Sequence, residues 1–166
     1  MLGTSPSSPK PLGERQADRL RRDVDRLATE IGPRNIHHYE ALQKAAAHIE
    51  TSLKEAGYCP FLHHYEAMGK TFANISAEIP GREHNDEIVL IGAHYDTHKD
   101  SPGANDNGSA VAALLELARY LCASRRRARC VLSLLPMKKV HSRAVKLWAA
   151  VSTPANAGDV ETTSSA

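Results

Sequence analysis

Apolar residues fall into three spacings along the chain, and each spacing predicts an element. Over residues 14–30, Leu20, Val24, Leu27 and Ile31 recur every three or four positions among many charges, the pattern of an amphipathic helix on a surface. Gly32-Pro33 should end it, since neither residue continues a helix. A second helix is expected over residues 38–56, with Leu42, Ala45, Ala46, Ile49 and Leu53 on one face and Gly57 past its end. Alternation follows. Residues 60–65 and 71–79 read as extended segments, the second with Phe72, Asn74 and Ser76 opposite Ala73, Ile75 and Ala77. Pro80-Gly81 turns the chain into a polar loop. The third spacing is an unbroken apolar run, Ile88-Val89-Leu90-Ile91, which reads as a strand buried on both faces. A helix then presents Val111, Leu114, Leu115 and Ala118 on one side, with Asn107 or Ser109 as its N-cap. Helices interleaved with strands in this order predict an α/β fold, and no internal repeat is visible.

Candidate chemistry gathers where the apolar run stops. The strand leads into His94 and Asp96, and a loop rich in turn formers carries Asp106 twelve residues after His94. The carboxyl end of a strand in an open α/β sheet is where ligands bind. Imidazole and carboxylate are common zinc ligands. In an extended chain His94 and Asp96 point to the same side, so Asp96 can hold the imidazole ring from behind. In isolation, an H-x-D triplet is common, and Asp106 reads equally well as a turn or capping residue. The pairs His37-His38 and His63-His64 read as surface histidines, because adjacent residues do not share a face. His98 and His141 are further imidazoles whose geometry nothing in the sequence fixes.

Composition narrows the picture. The 166 residues are one domain's worth. A net charge of +2 with 5% aromatics argues against a nucleic-acid partner. Arg125-Arg126-Arg127 suits a solvated helix end. Cys59, Cys122 and Cys130 are not in C-x-x-C form and read as unpaired thiols. No run reaches membrane-spanning length, and the Ser/Pro/Gly-rich start lacks the apolar centre of a signal peptide, so a cytoplasmic protein is expected. Residues 1–12 and 151–166 read as disordered tails around a domain over 13–150.

The strings A-H-Y-D-T and S-P-G-A-N-D-N-G-S-A-V-A-A-L-L-E-L-A-R closely resemble the zinc aminopeptidases of metallopeptidase family 28. Relatives of that family include glutaminyl cyclases and noncatalytic receptor ectodomains. The resemblance is strong over residues 88–121 and loose over 27–80, where an I-G-P-R segment precedes a helix. It implies a three-layer α/β/α sandwich with a mixed, largely parallel sheet. It implies that His94 binds one zinc, that Asp106 bridges two, and that Asp96 orients the site as its catalytic carboxylate. It also implies a cis peptide bond after Asp106, and hydrolysis of the N-terminal bond of peptides and proteins. Many members of the family are exported.

The family pattern lapses at about residues 121–129. A working site of this kind carries a further strand ending in two glutamates, one a general base and one a zinc ligand, and later an acidic ligand and a histidine. Residues 130–135 are apolar enough for the strand, but Pro136-Met137-Lys138-Lys139 follows, cations in place of carboxylates. The genetic code offers a cause. In a shifted frame, the last base of the Met137 codon joined to the first two of Lys138 must encode glutamate, and the neighbouring codons permit R-F-V-A-F-A-D-E-E-G. A frame shift near residues 123–130 would therefore have replaced the C-terminal half. The nucleotide sequence of the gene decides that directly. On this reading the chain is a C-terminally truncated zinc aminopeptidase domain, catalytically incomplete and weak in zinc binding. Loss of later strands would also leave an open sheet edge and poor solubility. The alternatives are a glutaminyl-cyclase-like zinc acyltransferase and a noncatalytic α/β binding module, for which Trp148 could anchor an exposed patch.

Overall fold

Charge and apolarity alternate along the first helix, α1 (Leu12–Asp25), because it lies on the surface of the helical layer. The computed structural model describes residues 11–123 and 128–136. The expectations on residues 1–10, Arg125, Arg126, Arg127, Lys138, Lys139, His141, Trp148 and 151–166 lie outside these. After α1 a wider helical turn, Arg26–Ile31, buries Leu27 and stops at Gly32. The second helix, α2 (Tyr39–Glu55), buries the expected Leu42, Ala45, Ala46, Ile49 and Leu53, with Ser52 beside them. Its apolar stripe packs on the sheet.

The strands β1 (Phe61–Ala67) and β2 (Lys70–Ile79) form a hairpin. Met68 and Gly69 both take positive φ at its tip, as a two-residue turn with the strands' own twist requires. β3 (His84–His94) is followed by a loop, then α3 (Ser109–Ala123) and β4 (Ala128–Leu135). The sheet runs in the order β1-β2-β4-β3. β4 pairs parallel with β3, placing Leu135 beside His94, and antiparallel with β2, placing Leu134 beside Ile75. The fold is therefore mixed α/β as expected. Among the described strands, however, one pairing of three is parallel, so the sheet is not largely parallel here.

One core joins the layers. Leu42, Ile49 and Leu53 of α2 meet Val111, Leu115 and Ala118 of α3 and Ile75, Leu132 and Leu134 of the sheet. The described helices share this core, and β4 is buried on both faces, with Val131 and Leu135 alternating with Leu132 and Leu134. The third strand departs from its expected burial. Ile88, Val89 and Leu90 are 43%, 46% and 37% exposed, not buried on both faces. β3 stands at the sheet's edge with β4 as its partner, so nothing described covers its outer side.

α1 is fastened to α3 by charge rather than by apolar contact. Arg19 Nε and Nη2 donate to Glu116 at 2.7 and 2.5 Å, and Arg119 donates to the buried Asp23 at 2.9 Å. Hydrogen bonds from Arg19 hold the Glu116 carboxyl below its ordinary range. Burial alone would raise Asp23, but Arg119 and the 3.5 Å approach of His48 outweigh it and the net shift is downward. A carboxylate lowered on folding stabilises above its unfolded pKa, and that stabilisation is lost as pH falls through the folded value. We expect the melting temperature to drop on acidification below about pH 4, the ordinary carboxylate range. In Glu116→Gln that drop should be shallower, because one titrating pair is gone; an acid limb of unchanged steepness in thermal melts would contradict this.

Candidate metal centre

His94 closes β3, and strand alternation turns its ring to one side while Tyr95, next along, points into the core. Tyr95 is fixed at both ends. Its amide donates to Leu135 O at 2.8 Å, and its hydroxyl donates to Ala73 O at 2.7 Å. Burial drives that phenol well above its ordinary pKa, so it stays a neutral donor. His94 and Asp96 therefore emerge on the same side, as the sequence predicts. His94 Nδ1 lies 3.0 Å from Asp96 Oδ1. Nε2, on the far side of the ring, lies 3.1 Å from Asp106 Oδ1, so the imidazole stands between two carboxylates.

Asp106 reaches that position because its loop is tightly formed. Gly103 takes left-handed φ 61°, ψ 43°, and the kinked turn Ala104–Gly108 follows, in which Asp106 and Asn107 leave helical φ/ψ. The Asp106–Asn107 peptide bond is cis, as the resemblance implied. Gly108 N donates to Gly103 O at 2.9 Å, closing the turn just before α3 begins at Ser109. Neither glycine has room for a side chain. A Cβ on Gly103 would stand 2.3 Å from Thr97 Cγ2 and 2.8 Å from Asp106 O, and one on Gly108 would stand 2.8 Å from Gly103 O.

Arg34 sits beneath this loop, fully buried. Its Nε donates to Tyr95 O at 2.7 Å, Nη1 to Leu27 O, Gly32 O and Pro102 O at 2.9, 3.1 and 2.8 Å, and Nη2 to Gly103 O at 3.1 Å. The Arg34 amide donates to Thr97 Oγ1, and Thr97 N donates to Arg34 O. Burial lowers the guanidinium to a pKa of about 10, against the pull of Asp96. It remains cationic at neutral pH, which is what five carbonyl acceptors require. The I-G-P-R segment is visible in the sequence, but nothing in it assigns this arginine a role. Its one visible signal was a cation next to two helix breakers, just ahead of an apolar helix.

A cleft of about 400 Å³ opens around these groups, lined by His94, Asp96 and Asp106 and by Ile36, His37, His98, Met68 and Pro136. His37 is exposed as expected, yet it stands on the cleft wall; His38 pairs with Asp100 at 2.9 Å. Pro136, the residue after β4, also reaches the cleft, so this strand ends at the same place as β3. The three cysteines are free, as expected.

Two observations test the fit to zinc. Adjacent ligands on a tetrahedral zinc ion lie ~3.3 Å apart, so His94 Nε2 and Asp106 Oδ1 have suitable chemistry and separation for neighbouring positions. Among the described residues, no third histidine, cysteine or carboxylate joins a cluster able to hold a metal. The donors thus fit part of a shell.

Residues 74–135 match the model of peptidase family M28. The match covers less than half of the chain and supports membership for that part alone. Aminopeptidase YwaD of Bacillus subtilis is 47% identical over 47 residues, 28% of this chain and 10% of that protein. Among solved structures, a zinc aminopeptidase from Bacillus subtilis shares the fold with TM-score 0.65 at 14% identity, covering 71% of this chain and 61% of that one. Glutaminyl cyclase of Porphyromonas gingivalis matches with TM-score 0.58 at 26% identity, covering 72% and 44%. The chain spans less than two thirds of each of these proteins.

The loop glycine gives a direct test of how the M28-like turn is held. Gly103→Ala combines an unfavourable φ with a clash against Thr97 and should cost about 2–4 kcal/mol in denaturant unfolding. A loss under about 0.5 kcal/mol, the scale of ordinary surface changes, would contradict the tight turn.

Proposed function

We propose that this chain carries one side of a zinc-peptidase site that hydrolyses N-terminal peptide bonds, and that the sequence as written leaves the site incomplete. The reading rests above all on His94, backed by Asp96 at Nδ1 and facing Asp106 at Nε2, at the shared end of two parallel strands. His94 and Asp106 are the proposed ligands. Asp96 keeps the ring oriented and its Nε2 lone pair available, the usual work of a carboxylate behind a metal-bound histidine. Zinc, when bound, supplies Lewis-acid polarisation of a carbonyl and a water acidic enough to act near neutral pH. The cleft beside it, with Ile36, Met68 and Pro136 on its walls, would receive the end of a peptide chain.

Hydrolysis also needs a general base within reach of the attacking water. β4 delivers the chain to the cleft at Pro136, and the sequence then reads Met137-Lys138-Lys139, where the family places its glutamate pair. A lysine ammonium cannot serve as that base while charged, and it repels a divalent ion. Two protein ligands are also fewer than the three that catalytic zinc sites keep. The chain as written is thus expected to bind zinc weakly and to turn over peptides poorly or not at all. Peptide and protein N-termini remain the proposed substrates, with no role for nucleic acid. Among the described residues no helix is long and apolar enough to cross a membrane.

The likeness to glutaminyl cyclase supports a second reading, zinc-assisted acyl transfer within an N-terminal glutaminyl residue. One experiment separates the two. The chain as written and a frame-restored version, carrying D-E-E-G at 136–139 and the sequence that follows it in the shifted frame, are assayed with zinc on an aminoacyl nitroanilide and on a glutaminyl peptide. Nitroanilide cleavage by the restored version alone is expected. Cyclisation without cleavage would favour the second reading, and equal cleavage by both would show that the C-terminal sequence already completes the site.

A further inference from the structure

We infer that Arg34 is a positioning residue for the metal-facing side chains, setting the spacing of His94, Asp96 and Asp106 from beneath through the main chain. The inference rests on the reading of His94 and Asp106 as metal ligands, and extends it to a residue outside the cleft.

Three stretches meet at this guanidinium. Tyr95 O lies between His94 and Asp96; Pro102 O and Gly103 O open the loop that carries Asp106; Leu27 O and Gly32 O belong to the end of the first helical stretch. Nε donates to the strand end while Nη1 and Nη2 of the same planar fork donate to the loop and the helix end, so one rigid group fixes the strand end and the loop relative to each other. Thr97 extends the clamp, since its hydroxyl and amide both engage the Arg34 main chain. Gly103 and Gly108 let the loop lie this close, as a Cβ on either would strike backbone or Thr97. None of these contacts involves a carboxylate side chain. Asp96 acts on Arg34 only through its charge; the hydrogen-bond acceptors are carbonyls that the fold must place before Asp106 can face His94. A lysine would keep the charge but offers three donors from one point, too few and too narrow for carbonyls arrayed around a fork.

The test compares the whole chain with Arg34→Lys by amide hydrogen exchange without metal, then by cobalt(II) titration read from its visible absorption. Exchange over residues 97–108 should rise at least about tenfold in Arg34→Lys while α2, β1 and β2 keep their protection. Unchanged exchange over 97–108, or equal loosening everywhere, would overturn the inference. If Arg34→Lys does not fold, the unmodified chain decides: Thr97 and Gly108 amides protected as strongly as those of α2 support the clamp, and free exchange there overturns it. Cobalt affinity should fall about 10–100-fold in Arg34→Lys, the usual cost of losing support behind a metal site, with the melting of the rest unchanged. Equal cobalt affinity in the two folded chains would overturn the positioning role. Absence of cobalt binding by the unmodified chain would instead overturn the metal reading of His94 and Asp106, and the exchange comparison would still decide whether Arg34 holds the loop.

Discussion

A cation sealed from water must find its hydration elsewhere, and Arg34 finds it in five main-chain carbonyls. Burying a guanidinium carries a desolvation cost of several kcal/mol, which only near-complete hydrogen bonding offsets. That condition makes the arrangement close to all-or-none: the helix end, the strand end and the loop must arrive together. The loop 97–108 is irregular and would otherwise sample many shapes. Once fastened, it presents Asp106 to His94 and hands the chain into α3.

The rest of the fold supports that junction. Parallel pairing of β3 and β4 sets Leu135 beside His94, so both strands end at the cleft. Tyr95 locks the strand end to β4 and to β2 through two hydrogen bonds. The core shared by α2, α3 and the sheet fixes the platform, while the Arg19–Glu116 and Asp23–Arg119 pairs hold α1 over α3. One side of the proposed metal site is thus organised by a well-packed sheet. Along that sheet's edge strand, Ile88, Val89 and Leu90 stay exposed.

Much of this was legible in the sequence because it depends on local pattern. The spacing of Leu42, Ile49 and Leu53 marks the buried face of α2 without reference to anything distant. His94, Asp96 and Asp106 lie within thirteen residues, and a strand-to-loop reading suffices to bring them together. What escaped is nonlocal. An apolar run such as residues 88–91 says that a strand favours burial, but not how many neighbours will cover it. The antiparallel pairing of Ile75 with Leu134 joins positions nearly sixty apart, and no alternation pattern specifies such a partner. Arg34 escaped for a different reason. Its partners are carbonyl groups, which every residue has, so side-chain identities carry no trace of the clamp.

The central claim is that this frame holds His94 and Asp106 ready to share one divalent ion. Zinc-edge anomalous diffraction from crystals of the chain soaked in zinc tests it most directly. The account predicts an anomalous peak ~2.0–2.2 Å from both His94 Nε2 and Asp106 Oδ1, with Asp96 still on Nδ1. A peak held only by other histidines of the cleft, or a pair of side chains turned away from each other, would contradict it.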